Sequence, residues 1–316
     1  MKYLRSFLAA LVCGFALQTG ALAQEAAPAP SPAVAEMQAI VAKIQTKMRA
    51  GQVTAATLAP EIAEFDALVA KYPDKTDENA NIAMMRAMLY LQVLDDEATG
   101  KALLQTIVSD YAGTKSVAQA ERILQSLTPE AKAAARAEAE AQEAKAAALI
   151  GAPAPALDFD WSSEPGLKSL ADLKGKVVVL DFWATWCGPC IRAFPKIREE
   201  VAHFAGSPVV VLGVTSLQGR VHGVEPRPID TKGDAAKEYA LTAEFMKLKE
   251  MTWPVAFSQQ QVFNPDYVVR GIPHLAILAP DGTVRHNALN PHDPEADVVG
   301  KVTAILKEFG LPLPKE

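Results

Sequence analysis

The sequence is short of cysteine, of positive charge and of long apolar runs. Its 316 residues carry 31 lysines and arginines against 37 acids, and the formal net charge is −6, which argues against nucleic acid as a partner. Beyond residue 23, no stretch approaches the roughly 20 apolar residues of a membrane span. Only Cys187 and Cys190 follow that point, because the third cysteine is Cys13. Any cysteine chemistry is therefore concentrated in one place.

The first 23 residues have the features of an export signal. Lys2 and Arg5 precede an apolar stretch, and Ala21-Leu22-Ala23 provides the small residues of a cleavage site. We therefore expect a signal peptide over residues 1–23 and an exported, soluble protein of the periplasm, anchored to the membrane only if the signal stays uncut. Export would place the two later cysteines in an oxidising compartment.

Changes in composition divide the rest of the chain into four segments. Residues 24–35 are rich in proline and alanine and predict a flexible spacer. Residues 36–128 carry apolar side chains at helical spacing and predict a domain of about five helices. Residues 129–151 are almost all Ala, Glu, Lys, Arg and Gln and predict an exposed helical linker. Residues 152–316 alternate strand and helix patterns, which predicts an α/β domain with a mixed sheet.

A loose repeat lies within the helical segment. Residues 68–75 are echoed by residues 107–114, at an offset of 39. The pattern resembles tetratricopeptide hairpins, which repeat at about 34 residues. Two copies are fewer than a solenoid of such hairpins needs, so an ordinary helical bundle is the alternative.

The last segment contains nine candidate elements. Apolar and β-branched runs bounded by turn residues predict strands at residues 157–161, 177–182, 209–215, 255–257, 275–278 and 283–285. Helical periodicity and capping residues predict helices at residues 189–204, 234–249 and 294–309.

Cys187-Gly188-Pro189-Cys190 stands where a predicted strand ends and a predicted helix begins. Two thiols at this spacing form a redox pair, a metal clip or a chance pairing. The strand-loop-helix context favours the redox pair, because unpaired N–H groups at a helix N-terminus stabilise a thiolate. A disulfide across so short a loop adds little structural stability, which also favours catalysis.

Residues 179–190 resemble the active-site segment of thioredoxins. The export signal, residues 170–176 and Gly271-Ile272-Pro273 resemble the TlpA/ResA branch of that family. The resemblance covers residues 152–310 and implies a thioredoxin-like fold, with a central mixed sheet flanked by helices. It implies no cofactor beyond the two thiols, and it says nothing about residues 24–150.

The resemblance assigns roles to four residues. Cys187, at the exposed end of the loop, would be the attacking thiolate, and Cys190 the resolving thiol with which it forms a disulfide. Asp181, six residues before Cys187, would be a buried proton acceptor for Cys190. Pro273 would be the cis-proline that faces the disulfide. Contacts to the substrate chain are expected from Trp186, Gly188, Pro189 and Ile272.

The chain departs from the thioredoxin pattern beside Asp181. Thioredoxins place a lysine near this acid on the next strand, whereas residues 209–215 contain none. Without that lysine, Asp181 is expected to titrate differently in this chain. Ala193 is a separate departure, because exported relatives often carry an acid at that position.

The resemblance implies a thiol-disulfide oxidoreductase that reduces disulfides in exported proteins, with cytochrome c maturation as one candidate process. A membrane thiol donor would recharge it. Gly-Pro between the cysteines is typical of reductants with potentials near about −270 mV, rather than of oxidants near about −120 mV.

Two other functions are compatible with the same residues. A copper(I) metallochaperone could use Cys187 and Cys190, with His274 as a further ligand, because soft thiolates suit that ion. Alternatively, the helical half could be an interaction module to which the redox half is auxiliary. The loop at residues 218–232 is a candidate for partner choice, or a plain surface loop.

Overall fold

The computed structural model describes residues 30–314, so the expected signal peptide lies outside the described residues. The chain separates into two compact units, of which the first ends at Arg136 and the second begins at Ala137. This division falls within the segment predicted as a linker. Within residues 30–314, none of the helices has the length and apolar character needed to cross a membrane.

Residues 30–149 form helices and no strand, as the sequence predicts. The helices are α1 (Pro32–Arg49), α2 (Ala59–Lys71), α3 (Asp77–Met88) with a π-helical turn at Leu89–Val93, α4 (Glu97–Asp110), α5 (Lys115–Ser126) and α6 (Pro129–Leu149). Helix α1 begins inside the segment expected to be a spacer, because the Ser31 side chain caps it and accepts from the Val34 N–H. Pro32 at the first helical position loses no hydrogen bond.

Two apolar cores hold the helical unit together. Ile40, Phe65 and Leu68 belong to one core, and Leu104 and Ile107 belong to the other. Each copy of the sequence repeat ends a helix with an equivalent backbone hydrogen bond. The N–H of Tyr72 donates to Leu68 O after α2, and the N–H of Tyr111 donates to Ile107 O after α4. A tetratricopeptide-like arrangement stays a prediction.

The second unit is built on a six-stranded mixed sheet with strand order β1-β6-β3-β2-β7-β8. Its strands are β1 (Phe159–Ser162), β2 (Val177–Phe182), β3 (Val209–Thr215), β6 (Val255–Ser258), β7 (His274–Leu278) and β8 (Val284–Leu289). A separate two-stranded ribbon joins β4 (Arg220–Val221) to β5 (Ile229–Asp230). The helices are α7 (Gly188–His203), α8 (Ala235–Leu248) and α9 (Val298–Glu308).

Strand β2 lies in the middle of the sheet and is buried along its whole length. It runs parallel to β3 and antiparallel to β7. Alternation along the strand puts Val179 and Asp181 on the face that α7, α8 and α9 cover, and Leu180 and Phe182 on the opposite face. The predicted thioredoxin-like α/β fold is confirmed.

The structure differs from the sequence prediction at two places in this unit. The helix predicted at residues 294–309 is broken into a short 3-10 turn at Pro294–Ala296 and α9, because Asp297 between them is in the left-handed region, with φ 35°. Its side chain caps α9 by accepting from the Gly300 N–H. The β4–β5 ribbon was not predicted, since strands of two residues show no periodicity.

Candidate active site

The two cysteines form a disulfide at the N-terminus of α7. Cys187 is the capping residue of that helix, and its Sγ accepts from the Cys190 N–H at 3.2 Å. Pro189 lies in the first turn, where its missing N–H removes no helical hydrogen bond. Once the disulfide is reduced, the same N–H and the positive end of the helix dipole would stabilise a thiolate on Cys187.

Both sulfur-bearing residues are buried in the oxidised protein. Cys187 is 2% exposed and Cys190 is 1% exposed, whereas the sequence led us to expect an exposed Cys187. The difference arises because Cys187 packs into the same apolar core as Trp183 and Leu275.

An exposed aromatic pair lies beside the disulfide loop. Trp186 is 40% exposed and stacks on Phe263, which is 43% exposed, with 6.2 Å between the ring centroids. The Trp186 indole N–H donates to Gln218 Oε1 at 2.9 Å, and Gln218 Nε2 donates to Ser216 O. The sequence pointed to Trp186 and to the loop that begins at Gln218, but nothing in it connected Phe263 to the site.

Glu238 of α8 fastens the loop that carries Gln218. Its buried carboxylate accepts from the backbone N–H groups of Gln218 and Gly219, at 2.6 and 3.0 Å, and from Thr231 Oγ1 at 2.6 Å. The sequence did not reveal this residue, because an acid in the first turn of a helix is ordinarily a solvent-facing complement to the helix dipole. Through Gln218, Glu238 holds the partner of the Trp186 indole in place.

Asp181 lies in the centre of the sheet, between Gly213 on β3 and Leu275 on β7. It is 1% exposed, and neither carboxylate oxygen has a hydrogen-bond partner in the structure. Burial, reinforced by repulsion from Glu200, raises the pKa of Asp181 to about 7. A carboxyl group with that pKa can take up or release a proton near neutral pH.

Glu200 of α7 is a second buried acid of this site that the sequence did not reveal. Burial is the main reason that its pKa is raised, while the positive charge of Lys196 opposes that rise. Repulsion from Glu199 also raises the pKa of Glu200, and the charge of Glu200 in turn raises the pKa of Asp181.

The peptide bond between Ile272 and Pro273 is cis. Strand β7 begins at the next residue and pairs with β2 through His274 and Phe182, at the end from which the disulfide loop leaves the sheet. Ile272 packs against the cores on both faces of the sheet. The topology thus brings Pro273 and Ile272 to the same end of the sheet as the cysteines.

His274 faces away from the disulfide. Its ring meets Phe182 edge to face, on the opposite side of the sheet from Asp181 and α7. Nε2 lies 2.9 Å from Asn287 Oδ1, and Asn287 Nδ2 donates to Tyr267 O, so the Asn287 oxygen accepts and His274 Nε2 carries the proton. Burial lowers the pKa of His274. The structure does not bring this residue to the two sulfurs.

No group of three or more His, Cys, Asp or Glu side chains in residues 30–314 is arranged to hold a metal ion. The three-ligand copper(I) site that the sequence allowed, with His274 beside the cysteines, therefore has no counterpart among the described residues.

His292 contacts the disulfide loop from the segment between β8 and α9. Its Nε2 lies 2.8 Å from the carbonyl oxygen of Pro189, which can only accept, so the imidazole N–H donates. Lys196 Nζ donates to Pro291 O at 3.0 Å and ties the same segment to α7. The sequence separation of 103 between His292 and Pro189 explains why no local pattern predicted the contact.

Comparison with known proteins places the second unit in a family. Residues 149–305 match the Redoxin family model. The chain is 28% identical over 115 residues to thiol-disulfide oxidoreductase ResA of Bacillus subtilis, covering 36% of this chain and 54% of ResA. It is 31% identical over 132 residues to the thioredoxin-like protein YneN of the same organism, covering 41% of this chain and 66% of YneN. The chain thus spans about half to two thirds of the length of these curated relatives.

Among solved structures, a thiol-disulfide isomerase from Corynebacterium glutamicum aligns with a TM-score of 0.37 and 22% sequence identity. The alignment covers 49% of this chain and 96% of that chain.

The raised pKa of Asp181 predicts a pH-dependent stability. Between its ordinary pKa of 3.8 and about 7, the folded protein holds a proton that the unfolded chain has released. The free energy of unfolding therefore falls as pH rises through that window, by up to about 4 kcal/mol from this group. In oxidised Asp181→Asn this contribution is absent, so the stability of the variant relative to wild type should increase from pH 4 to pH 7 and then level off. Urea unfolding at several pH values measures the difference.

The matched control for this measurement is Asp160→Asn, at an exposed position of β1. Its stability relative to wild type should stay constant over the same range. A constant difference for Asp181→Asn as well would show that Asp181 has an ordinary pKa in the folded protein.

The three hydrogen bonds to Glu238 predict that Glu238→Gln loosens the loop at residues 218–231. Replacing a charged acceptor with an amide should lower the free energy of unfolding by about 2 kcal/mol and speed proteolysis within the loop. Glu244→Gln, an exposed position on the same helix, is the control and should change neither quantity. Equal effects of the two substitutions would rule out Glu238 as the anchor of the loop.

Proposed function

Residues 149–305 make the chain a member of the redoxin family, in its TlpA/ResA-like thioredoxin-fold group, and on this premise we propose that it is a thiol-disulfide oxidoreductase. The observation that carries the proposal is the Cys187–Cys190 disulfide at the N-terminus of α7, on the face of the sheet where Asp181 is buried. A structural disulfide would need neither a helix N-terminus at one sulfur nor a carboxyl group of near-neutral pKa in the core beneath it.

In the proposed reaction, the reduced protein attacks a disulfide of its substrate. The Cys187 thiolate bonds to one substrate sulfur, and the other substrate sulfur leaves as a thiolate that takes a proton from solvent. Cys190 then loses its proton, and its thiolate attacks Cys187 Sγ. The mixed disulfide breaks and the second substrate thiolate leaves. Two electrons pass to the substrate, and the protein ends with the Cys187–Cys190 disulfide.

Asp181 is proposed to receive the proton that Cys190 loses. Cys190 is buried, so its thiol has little access to bulk water as a base. Asp181 lies on the face of the sheet against which Cys190 packs, and its pKa of about 7 suits it to accept a proton and later return it. Repulsion from Glu200 would help to keep the pKa of Asp181 near 7, so that its carboxyl group is not fully ionised at neutral pH.

The substrate is proposed to be an extended polypeptide that carries a disulfide. Trp186, Gly188 and Pro189 would contact it on one side, and the loop with Ile272 and Pro273 would offer backbone groups on the other. These residues surround the end of the sheet from which the disulfide loop leaves. The Trp186–Phe263 pair adds an apolar surface for side chains next to the substrate cysteine.

We place the reaction in the periplasm, because residues 1–23 have the features of a cleaved export signal. Its substrates would be other exported proteins, with cytochrome c maturation as one process that uses such a reductant. A membrane thiol donor would supply the two electrons that restore the dithiol after each turnover.

The order of attack is tested by trapping. Cys190→Ala should accumulate a mixed disulfide between Cys187 and its substrate, since the resolving thiol is missing, and non-reducing gels followed by mass spectrometry identify the bond. Cys187→Ala is the matched control and should trap nothing and reduce no insulin. Accumulation of partners on Cys190 in the control would reverse the assigned roles.

The direction of the reaction is tested by equilibrium with glutathione. Gly188-Pro189 between the cysteines predicts a potential below about −200 mV, in the range of reductants. Substituting both residues, as Gly188→Pro with Pro189→His, should raise the potential towards that of oxidants near about −120 mV. A wild-type potential above about −150 mV would contradict a reducing role.

A further inference from the structure

His292 donates a hydrogen bond to a peptide group of the disulfide loop. Its Nε2 lies 2.8 Å from Pro189 O, and that carbonyl belongs to the peptide bond between Pro189 and Cys190. The N–H of the same peptide bond donates to Cys187 Sγ at 3.2 Å. A single peptide group therefore lies between the imidazole of His292 and the sulfur of the proposed nucleophile.

The sulfur of Cys187 depends on this particular N–H. A capping side chain accepts from the N–H of the second or third residue of its helix. Cys187 caps α7, so the second residue of the helix is Pro189 and the third is Cys190. Proline has no N–H, which leaves the Cys190 N–H as the capping donor to the sulfur.

A hydrogen bond at one end of a peptide group strengthens the bond at the other end. The group is planar, and in the trans form its C=O and N–H point in opposite directions. A donor at the carbonyl oxygen draws electron density from the nitrogen, so the N–H becomes a better donor, which is the cooperativity of hydrogen-bond chains. Donation from His292 to Pro189 O therefore strengthens the bond from the Cys190 N–H to Cys187 Sγ.

The segment between β8 and α9 holds the imidazole in position. Lys196 Nζ on α7 donates to Pro291 O at 3.0 Å. The His292 N–H donates to Asn290 Oδ1 at 2.9 Å, and the Asp293 N–H donates to Asn290 O at 3.0 Å. Pro291 is buried, whereas His292 is exposed to solvent. The histidine thus reaches the loop from a braced turn, and its replacement would leave the apolar cores intact.

We propose that His292 is a positioning residue that stabilises the Cys187 thiolate through the peptide group between Pro189 and Cys190. A hydrogen bond to an ionised acceptor is stronger than one to a neutral acceptor, so the thiolate gains more from this chain of bonds than the disulfide sulfur does. His292 therefore favours the reduced protein over the oxidised protein. The importance of this effect for catalysis rests on the proposed function, whereas the effect on the thiol does not.

Other charged groups lie close to the imidazole or to the loop. On α7, Lys196 is bonded to the same segment, and Arg192 lies beside the loop, because a β-carbon at Gly188 would be 3.5 Å from Arg192 Nη1. The segment itself carries the acids Asp293 and Glu295. Substituting the histidine leaves these four charges in place, so a change in the thiol can be assigned to the histidine.

The proposal is tested by the pH profile of Cys187 alkylation in the full-length chain. Cys190→Ala serves as the background, because it removes the second thiol and keeps the backbone N–H that donates to Cys187 Sγ. Iodoacetamide reacts with the thiolate, and mass spectrometry of the peptide that contains Cys187 follows the reaction. In this background His292→Ala should move the midpoint of the profile to higher pH and slow alkylation below the midpoint about threefold.

Two further variants separate this role from a merely structural one. His292→Gln keeps an N–H donor that can reach Pro189 O, and it should recover most of the lost rate. His203→Ala removes a histidine from the opposite end of α7, and its profile should match that of the background protein. An unchanged profile in His292→Ala, an equal change in His203→Ala, or a loss in His292→Gln as large as in His292→Ala would overturn the proposal.

The equilibrium with glutathione gives an independent readout in the protein that keeps both cysteines. Without the His292 bond the reduced form is less stable, so His292→Ala should shift the equilibrium about threefold towards the Cys187–Cys190 disulfide. An unshifted equilibrium would contradict the proposal. Insulin reduction by the wild-type protein is measured separately: its absence would contradict the proposed function, while the alkylation profiles would still decide the role of His292.

Discussion

The burial of β2 on both faces is the constraint on which the rest of the second unit depends. The strand is central in the sheet, so its alternating side chains face the core under α7 on one side and the core around Tyr267 on the other. Asp181 on this strand is only 1% exposed. The loop that leaves β2 enters α7 directly, and this connection sets Cys187 at the helix N-terminus above the buried acid.

A buried carboxyl group beside a second buried acid is an expensive arrangement for a protein to keep. Its physical effect is to move the pKa of Asp181 to about 7, where an exposed aspartate would be fully ionised. Neither carboxylate oxygen has a hydrogen-bond partner in the structure, so burial and the charge of Glu200 set the electrostatics at this point.

The surroundings of the disulfide are held by contacts between distant parts of the chain. Glu238 anchors the loop that presents Gln218 to Trp186, and His292 reaches the carbonyl oxygen of Pro189. Local patterns predicted the six strands of the mixed sheet, the helices and the two cysteines, because periodicity and capping act over a few residues. They did not predict these contacts or the burial of Cys187, because each of them requires two segments to meet that are far apart along the chain.

The sequence by itself determined the order of the helices and of the six strands in the mixed sheet, the helical first unit, and the Cys187-Gly188-Pro189-Cys190 loop at the start of a helix. These features follow from side-chain periodicity, from proline and glycine at turns and from cysteine spacing, all of which are local. Tertiary structure alone decided which face of the sheet each residue occupies. It turned His274 away from the sulfurs and placed Gly213 beside Asp181, because strand pairing sets the register and a side chain's face follows from that register.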